Sequence, residues 1–291
     1  MNMLASRLLH RHPTGPQPVL ADIEPPVAPG KYLLDGYRVM RHIRRGPECD
    51  IYEVWSEERH CNCTAKMVRP DRADNERICA HLRREVEFLL DCTHPHIVRA
   101  YGLYEEPRTT MILETLEGAT LEYLVHHNWW RLTPPDGMCA LGLHLCSAVG
   151  YLHGRRLLHL DLKPSNIVSN YGLAKVLDLN LARPPGKYSA GIGTAAYLSP
   201  EQARGDYLAG SADVWGIGAV LYEVATRHEP YPESKNGGPY GQLTRRVSLT
   251  GHARNRLPGV VANVINGCLD PNPTARPRLG ELEATLDAQL G

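Results

Sequence analysis

The stretch His159-Leu160-Asp161-Leu162-Lys163-Pro164-Ser165-Asn166 places a carboxylate, an ammonium group and an amide close together in the chain. Pro164 prevents the stretch from being helical, so we expect a loop that follows a helix. In such a loop Asp161 can orient a hydroxyl proton and Lys163 can neutralise charge on a phosphoryl group. The amide oxygen of Asn166 is a ligand that Mg²⁺ accepts. The stretch therefore predicts chemistry on phosphates.

A second carboxylate lies downstream, in the strand-like run Val176-Leu177-Asp178-Leu179-Asn180. Mg²⁺ prefers hard oxygen ligands and usually keeps several waters, so Asn166 and Asp178 suffice as its protein ligands beside a polyphosphate. Together with the loop, this carboxylate indicates phosphoryl transfer, in which positioning and electrostatic stabilisation supply most of the catalysis.

One glutamate in the N-terminal part is expected to face inward. Apolar residues recur at three- and four-residue steps between positions 78 and 90, and Glu85 shares their face of the predicted helix. A buried carboxylate is costly unless a cation meets it, and Lys66 is the natural partner. The alternative is that Glu85 lies on the surface at the edge of the apolar stripe.

Composition limits the function classes. The 291 residues suffice for one large domain or two packed lobes. The 32 basic and 32 acidic residues cancel, which gives no reason to expect binding to nucleic acid or to a membrane surface. The 8 scattered cysteines favour reduced thiols and a cytoplasmic location. No apolar stretch approaches the roughly 20 residues of a membrane-spanning helix.

The pattern divides the chain into a tail and two lobes. Residues 1–33 are rich in proline and are expected to form a disordered tail, through which a regulatory partner could act. Residues 34–113 show strand-like runs and one helix and are expected to form an N-terminal lobe. Residues 114–117 are the hinge, and residues 118–291, which are mainly helical, form a C-terminal lobe. A small β-rich lobe before a larger helical lobe is an α+β architecture.

The loop from His159 to Asn166 resembles the catalytic loop of the protein kinase family, and other motifs of that family occur in the family's order. Lys66 resembles the strand lysine that contacts the α- and β-phosphates, and Glu85 resembles its ion-pair partner on a helix. Asp178 resembles the metal-binding aspartate of the Asp-Phe-Gly motif. The resemblance implies a two-lobed kinase fold with ATP and Mg²⁺ as cofactors.

Motifs near the C-terminus extend the resemblance from about residue 35 to the end of the chain. Ser199-Pro200-Glu201 resembles the Ala-Pro-Glu that closes the activation segment, and Arg276 resembles the arginine that pairs with this glutamate. Lys163 and Gly193-Thr194 are typical of kinases that act on serine and threonine, and the segment 193–202 is most similar to bacterial members. The resemblance implies protein substrates, with Asp161, Lys163, Lys66 and Glu85 as catalytic residues.

For the nucleotide, the resemblance implies a pocket between the lobes. Its expected lining is Ile43, Gly46, Ile51, Thr64, Lys66, Leu113, Glu114, Leu116 and Val168. Leu113 would be the gatekeeper, and the backbone from Glu114 to Leu116 would bind the adenine edge. Thr64 stands where the family usually has alanine, so its methyl group would pack on the ring.

Three departures from the family pattern concern regulation and affinity. Arg44, Gly46 and Cys49 occupy the three positions of the glycine loop, so we expect weaker ATP binding than a full Gly-x-Gly-x-x-Gly would give. Leu160 replaces the arginine that receives a phosphorylated activation segment, so activity is expected not to depend on that phosphorylation. Leu179-Asn180 replaces Phe-Gly, and asparagine tolerates the turn.

Three functions remain open on this pattern. An active Ser/Thr protein kinase is preferred, because every polar residue that touches metal or phosphate in the family has a counterpart here. A pseudokinase scaffold or allosteric binding module with weak or no catalysis is the main alternative, and the degenerate glycine loop favours it. A small-molecule phosphotransferase is disfavoured, because such enzymes do not normally combine Ser199-Pro200-Glu201 with a distant Arg276.

Overall fold

The N-terminal part of the chain, in which apolar and polar residues alternate, forms a six-stranded antiparallel sheet. In the computed structural model, residues 24–127, 133–232 and 240–290 are described. The strands are β1 (Tyr32–Leu34), β2 (Tyr37–Arg45), β3 (Cys49–Ser56), β4 (Cys61–Val68), β5 (Ala100–Tyr104) and β6 (Thr110–Glu114), in the spatial order β1-β2-β3-β4-β6-β5. Along β3, Tyr52 and Val54 are fully buried while their neighbours Ile51, Glu53 and Trp55 are half-buried, as period-two patterning requires.

Helix α1 (Glu76–Leu90) packs against this sheet on the side of β5. The side chain of Asn75 caps its first turn by accepting from the Ile78 N–H at 3.4 Å. The face that α1 buries consists of Ile78, Cys79, Leu82, Glu85, Val86 and Leu89. Glu85 is therefore an inward-facing carboxylate, and the alternative of a surface position is wrong.

The C-terminal part is mainly helical. Its helices are α2 (Leu121–His127), α3 (Pro135–Gly154), α4 (Pro200–Arg204), α5 (Gly210–Thr226), α6 (Gly251–Asn255), α7 (Gly259–Cys268) and α8 (Leu279–Asp287). Short strands β7 (Ala119–Thr120), β8 (Ile167–Asn170) and β9 (Leu173–Val176) form one small sheet, and β10 (Gly186–Lys187) pairs with β11 (Tyr207–Leu208). Helix α5 is buried on nearly every face and packs against α3 and α7, as its uniformly apolar sequence predicted.

One apolar cluster connects α1, β9, α3, α5 and α7, so the two parts of the molecule share a core. A second cluster fills the far side of the N-terminal sheet, between β1, β2, β3 and β4. The predicted α+β architecture with a β-rich lobe followed by a helical lobe is confirmed. Among the described residues, no helix combines the length and the apolar character needed to cross a bilayer.

Residues 24–33, which the prediction assigned to the tail, contact the N-terminal sheet. The Val27 N–H donates to the Tyr52 hydroxyl at 3.2 Å, and the Glu24 carbonyl accepts from Arg45 at 3.1 Å. Leu33 is buried in the sheet cluster. Proline-rich composition predicted disorder for residues 24–33, but a few contacts to the sheet hold this segment in place. The rest of the predicted tail, residues 1–23, lies outside the described residues.

Candidate active site

The loop 159–166 is held by a carboxylate from the buried helix α5. Asp213 accepts hydrogen bonds from the backbone N–H groups of His159, at 2.9 Å, and Leu160, at 2.8 Å, and it also contacts the His153 ring at 2.8 Å. Leu160 has a φ of 65°, a left-handed conformation that is unfavourable for a residue with a side chain. The hydrogen bonds to Asp213 stabilise this conformation and thereby fix the direction in which the Asp161 side chain extends from the loop.

Asp161 lies at the centre of a polar cluster. Its Oδ1 accepts from the Thr194 hydroxyl at 2.6 Å, and its Oδ2 lies 2.9 Å from the Lys163 ammonium group. Lys163 also donates to the Thr194 oxygen at 2.6 Å. The side-chain amide of Asn166 donates to Oδ2 at 3.1 Å. The structure therefore brings together the loop residues that the sequence singled out, and Thr194 bridges two of them.

Asn166 and Asp178, the two residues predicted to bind Mg²⁺, each offer a side-chain oxygen. Because the Asn166 NH₂ group is used by Asp161, its amide oxygen remains available for a cation. The Leu177 N–H donates to the Asn166 carbonyl at 2.9 Å, which ties the loop to the segment that carries Asp178. Burial disfavours charge on Asp178, but Lys66 and the Asn180 N–H outweigh this penalty and hold the pKa of its carboxyl below the usual range. An ionised carboxylate beside an amide oxygen is the donor set that Mg²⁺ prefers.

Lys66 and Glu85 form a buried ion pair with an Nζ–Oε2 distance of 2.8 Å. Burial raises the pKa of the Glu85 carboxyl to about 7, with Lys66 opposing the rise and Asp178 adding to it. For Lys66, burial disfavours the charge, but the two carboxylates outweigh this penalty and raise the pKa of the ammonium group. The cation is thus kept charged between two acidic side chains, at a point where a phosphate would compete for it.

The residues predicted to line a nucleotide pocket are divided among the N-terminal sheet, the connection that follows it and the small sheet that contains β8. Thr64 of β4 is directly opposite Leu113 of β6, and Val168 lies in β8. The Glu114 carboxylate accepts from Lys175 at 2.5 Å and from the Arg99 N–H at 2.9 Å, which anchors the connection between the lobes. Among the described residues, Leu116 makes no backbone hydrogen bond, so its N–H and C=O are available to a ligand.

The three remaining predicted lining residues lie at the β2–β3 hairpin. Ile51 of β3 is directly opposite Lys66 of β4 and packs on the core shared by the lobes. Ile43 of β2 is 41% exposed, so its apolar side chain lies open to solvent in the absence of a ligand. Gly46 lies in the turn that joins the two strands.

An apolar contact holds the segment between Asp178 and Glu201. Leu160 is buried in a small cluster with Leu158, Leu208 and Ala212, and Tyr188 and Ile192 of the segment pack against it. The Gln202 side chain donates to the carbonyls of Leu160 and Ile192, both at 2.8 Å. The segment is therefore docked on the loop by apolar packing and by neutral hydrogen bonds. Sequence reasoning missed Gln202, because its partners are backbone carbonyls and that of Leu160 is 42 positions away in the chain.

A buried ion pair fixes the far end of the same segment. Arg276 donates to both oxygens of Glu201, at 2.6 and 2.8 Å, and also to the carbonyls of Asp270 and Ser211, each at 2.8 Å. The guanidinium lies over the Trp215 ring at 4.9 Å. Each of the three guanidinium nitrogens of Arg276 thus donates to a group inside the protein, and the bidentate pair fixes Glu201 at the start of α4.

Comparison with known proteins agrees with this arrangement. The profile of the family described as protein kinase domain matches residues 37–285. The serine/threonine-protein kinase PknB of Mycobacterium tuberculosis is 32% identical over 259 residues, which cover 84% of this chain and 41% of that protein. PknB of Mycobacterium leprae is 32% identical over 212 residues, or 69% of this chain and 34% of that protein. A probable serine/threonine-protein kinase of Streptomyces coelicolor is 30% identical over 202 residues, or 65% of this chain and 30% of that protein. The chain thus spans between about a third and two fifths of the length of these relatives.

Proposed function

The chain belongs to the protein kinase family, and from this premise we propose that it transfers the γ-phosphoryl group of Mg-ATP to serine and threonine hydroxyls of proteins. The observation that carries the proposal is the convergence of Asp161, Asn166 and Asp178 opposite the Lys66–Glu85 ion pair. Phosphoryl transfer needs positioning and compensation of charge more than covalent chemistry, and this constellation supplies both.

Each residue has a role that follows from its contacts. Asp161 orients the acceptor hydroxyl, and Lys163, 2.9 Å away, stabilises negative charge on the transferring group. Lys66, fixed by Glu85, holds the phosphates, while Asn166 and Asp178 hold the metal. Mg²⁺, when bound, neutralises charge on the phosphate oxygens.

Serine and threonine acceptors are supported by the bridge that Thr194 makes between Asp161 and Lys163. A hydroxyl and an ammonium group thus flank the carboxylate that would orient the acceptor hydroxyl. The names of the similar bacterial proteins support the same class of acceptor.

We propose further that transfer does not require phosphorylation of the activation segment. Leu160 offers no donor to a phosphate, and the apolar cluster around it already docks Tyr188 and Ile192. A cytoplasmic location is our proposal as well, and its support is that all 8 cysteines are free thiols.

A pseudokinase that binds partners without catalysis is the second candidate, and one observation favours it. The Gly46 N–H donates to the Cys49 carbonyl at 2.8 Å, and Pro47 has no N–H, so two donors that could face phosphates are removed from the glycine loop. Weak nucleotide binding would follow, although the catalytic carboxylates remain in place.

Phosphotransfer and binding can be separated in one set of experiments. Purified protein would be incubated with Mg-ATP and a basic generic substrate protein, with Asp161→Asn as the control, and phosphosites would be mapped by mass spectrometry. We expect phosphoserine and phosphothreonine only with the unaltered protein. Equal products from both proteins would contradict the proposal. Binding of Mg-ATP by calorimetry, without any transfer, would instead support the pseudokinase.

A further inference from the structure

The turn between β2 and β3 is a closed hairpin. Gly46 N–H donates to the Cys49 carbonyl at 2.8 Å, and Arg45 lies directly opposite Asp50 in the register of the two strands. A Cβ added to Gly46 would lie 3.0 Å from that carbonyl oxygen, which is tighter than nearly all Cβ contacts. Glycine at this position therefore permits a close approach within the turn.

A single arginine outside the turn binds its tip. Arg69 follows β4, and its backbone N–H donates to the Glu48 carbonyl at 3.0 Å. Its guanidinium donates to the carbonyl of Gly46 at 3.1 Å and to that of Pro47 at 3.4 Å. Three consecutive carbonyls of the turn thus accept from one residue, and two of these bonds involve a charged donor.

Asp71 fixes the orientation of this arginine. Its two carboxylate oxygens accept from the Nε and Nη2 atoms of Arg69, both at 2.9 Å. The side chains of Arg69 and Asp71 are 13% and 19% exposed, so the pair is largely shielded from solvent. A bidentate pair of this kind holds the guanidinium plane, and the remaining nitrogen then points at the turn.

The stem of the hairpin is fixed on its other face. Asp50 is fully buried and accepts from Arg45 at 2.8 Å through each of its oxygens, with His42 at 3.2 Å from one of them. Arg45 also donates to the Glu24 carbonyl at 3.1 Å. Because the stem is held in this way, the hydrogen bonds from Arg69 determine the direction of the Gly46 and Pro47 carbonyls at the tip.

The contact with Arg69 has a consequence for the opposite side of the turn. In a planar trans peptide, the Pro47 carbonyl and the Glu48 N–H point in opposite directions. Because the carbonyl faces Arg69, the Glu48 N–H points away from the guanidinium, and among the described residues it has no hydrogen-bond partner. The turn therefore offers a backbone donor in a fixed direction.

We propose that Arg69, oriented by Asp71, is a positioning residue for the nucleotide. It holds the carbonyls of the β2–β3 turn away from the triphosphate and keeps the Glu48 N–H free for a phosphate oxygen. In place of the flexible backbone that two further glycines would give, this contact fixes one backbone donor in a single direction. The inference rests on the proposed binding of Mg-ATP, and it adds to that function a residue outside the recognised motifs.

The test compares Arg69→Ala, Asp71→Asn and the matched control Arg72→Ala. Arg72 lies in the short helical turn Pro70–Arg72 that follows Arg69. It contacts Asp71 at 3.5 Å, and its side chain is 45% exposed. Among the described residues, it makes no hydrogen bond to the β2–β3 turn. Mg-ATP binding would be measured by calorimetry, KM and kcat by phosphate transfer, and protection of the Gly46 amide by hydrogen exchange.

We expect Arg69→Ala to weaken Mg-ATP binding and raise the KM for ATP by about tenfold, with kcat changed by less than about twofold, because the turn is no longer ordered beforehand. Asp71→Asn should show a smaller change in the same direction, and Arg72→Ala none. In the nucleotide-free protein, the Gly46 amide should exchange faster in Arg69→Ala.

Unchanged Mg-ATP affinity in both Arg69→Ala and Asp71→Asn would overturn the inference while leaving the proposed function intact. Unaltered protein that binds no Mg-ATP would overturn both. A fall in melting temperature with no change in KM would show that Arg69 is merely structural, and this too would overturn the inference. If Arg69→Ala does not fold, the result for Asp71→Asn decides.

Discussion

At the scale of single residues, the site depends on how neighbours restrict Asp161. Its carboxylate is bound by a hydroxyl, an ammonium group and an amide, and each of these three partners comes from a different point along the chain. Thr194 is the most exacting of them, since its one oxygen both accepts from Lys163 and donates to Asp161. A residue with a hydroxyl in the same place is therefore required.

Two substitutions of Thr194 should distinguish the contribution of its hydroxyl to activity from that of its methyl group. Thr194→Ala removes both hydrogen bonds, so we expect kcat to fall by about 100-fold, the loss that misplacement of a catalytic group can cause. Thr194→Ser retains the oxygen and should keep most of the activity. Steady-state kinetics check this, and equal rates for the alanine and serine variants would contradict the role. Because the hydroxyl has this role, alanine at Thr194 cannot serve to test dependence on phosphorylation.

At the scale of elements, the activation segment and the loop 159–166 act as one unit. The segment is bound to the loop through Leu160, Gln202 and the Thr194 bridge, and the loop is bound to α5 through Asp213. None of these contacts needs an added phosphate. This docking by unmodified residues is what we expect if transfer is independent of phosphorylation of the segment, as proposed above.

A phosphatase-treated double variant tests this independence. Tyr188→Phe with Ser189→Ala removes two acceptor hydroxyls, and phenylalanine retains the packing of Tyr188 against the Leu160 cluster. We expect kcat to stay within about twofold of the unaltered protein, because this packing is retained and only the hydrogen bond from the Tyr188 hydroxyl to the Pro184 carbonyl is lost. Loss of activity on phosphatase treatment of the unaltered protein, recovered on phosphorylation, would contradict the account.

The sequence predicted those features of the site that depend on residues close together in the chain. The spacing of Asp161, Lys163 and Asn166 is local, and the helical periodicity around Glu85 placed that carboxylate inside the protein. Asp213 and Gln202 were missed as functional residues because each binds backbone atoms about 40 or more positions away, which no local pattern records.

At the scale of the whole molecule, the Arg276–Glu201 pair connects the C-terminal helices to the end of the activation segment. Both side chains are almost completely buried, with 0% and 5% exposure. Removing one member leaves the other charge without compensation, and this costs more than the pair itself contributes.

Arg276→Ala should therefore lower the free energy of unfolding by about 3–5 kcal/mol, measured by urea denaturation. Glu201→Ala should have a comparable effect. The double variant should be less destabilised than the sum of the two, because it leaves no unpaired charge. Additive losses would mean that the pair is not coupled.

We propose that the convergence of Asp161, Asn166 and Asp178 with Lys66 enables the chain to phosphorylate proteins. The most direct measurement is the intact mass of a substrate protein after incubation with Mg-ATP and either the unaltered chain or Asp178→Asn, a substitution that keeps the shape of the side chain and removes its charge. The account predicts mass increases of whole phosphoryl groups with the unaltered chain and none above background with Asp178→Asn. Equal increases with both proteins, or none with either, would contradict it.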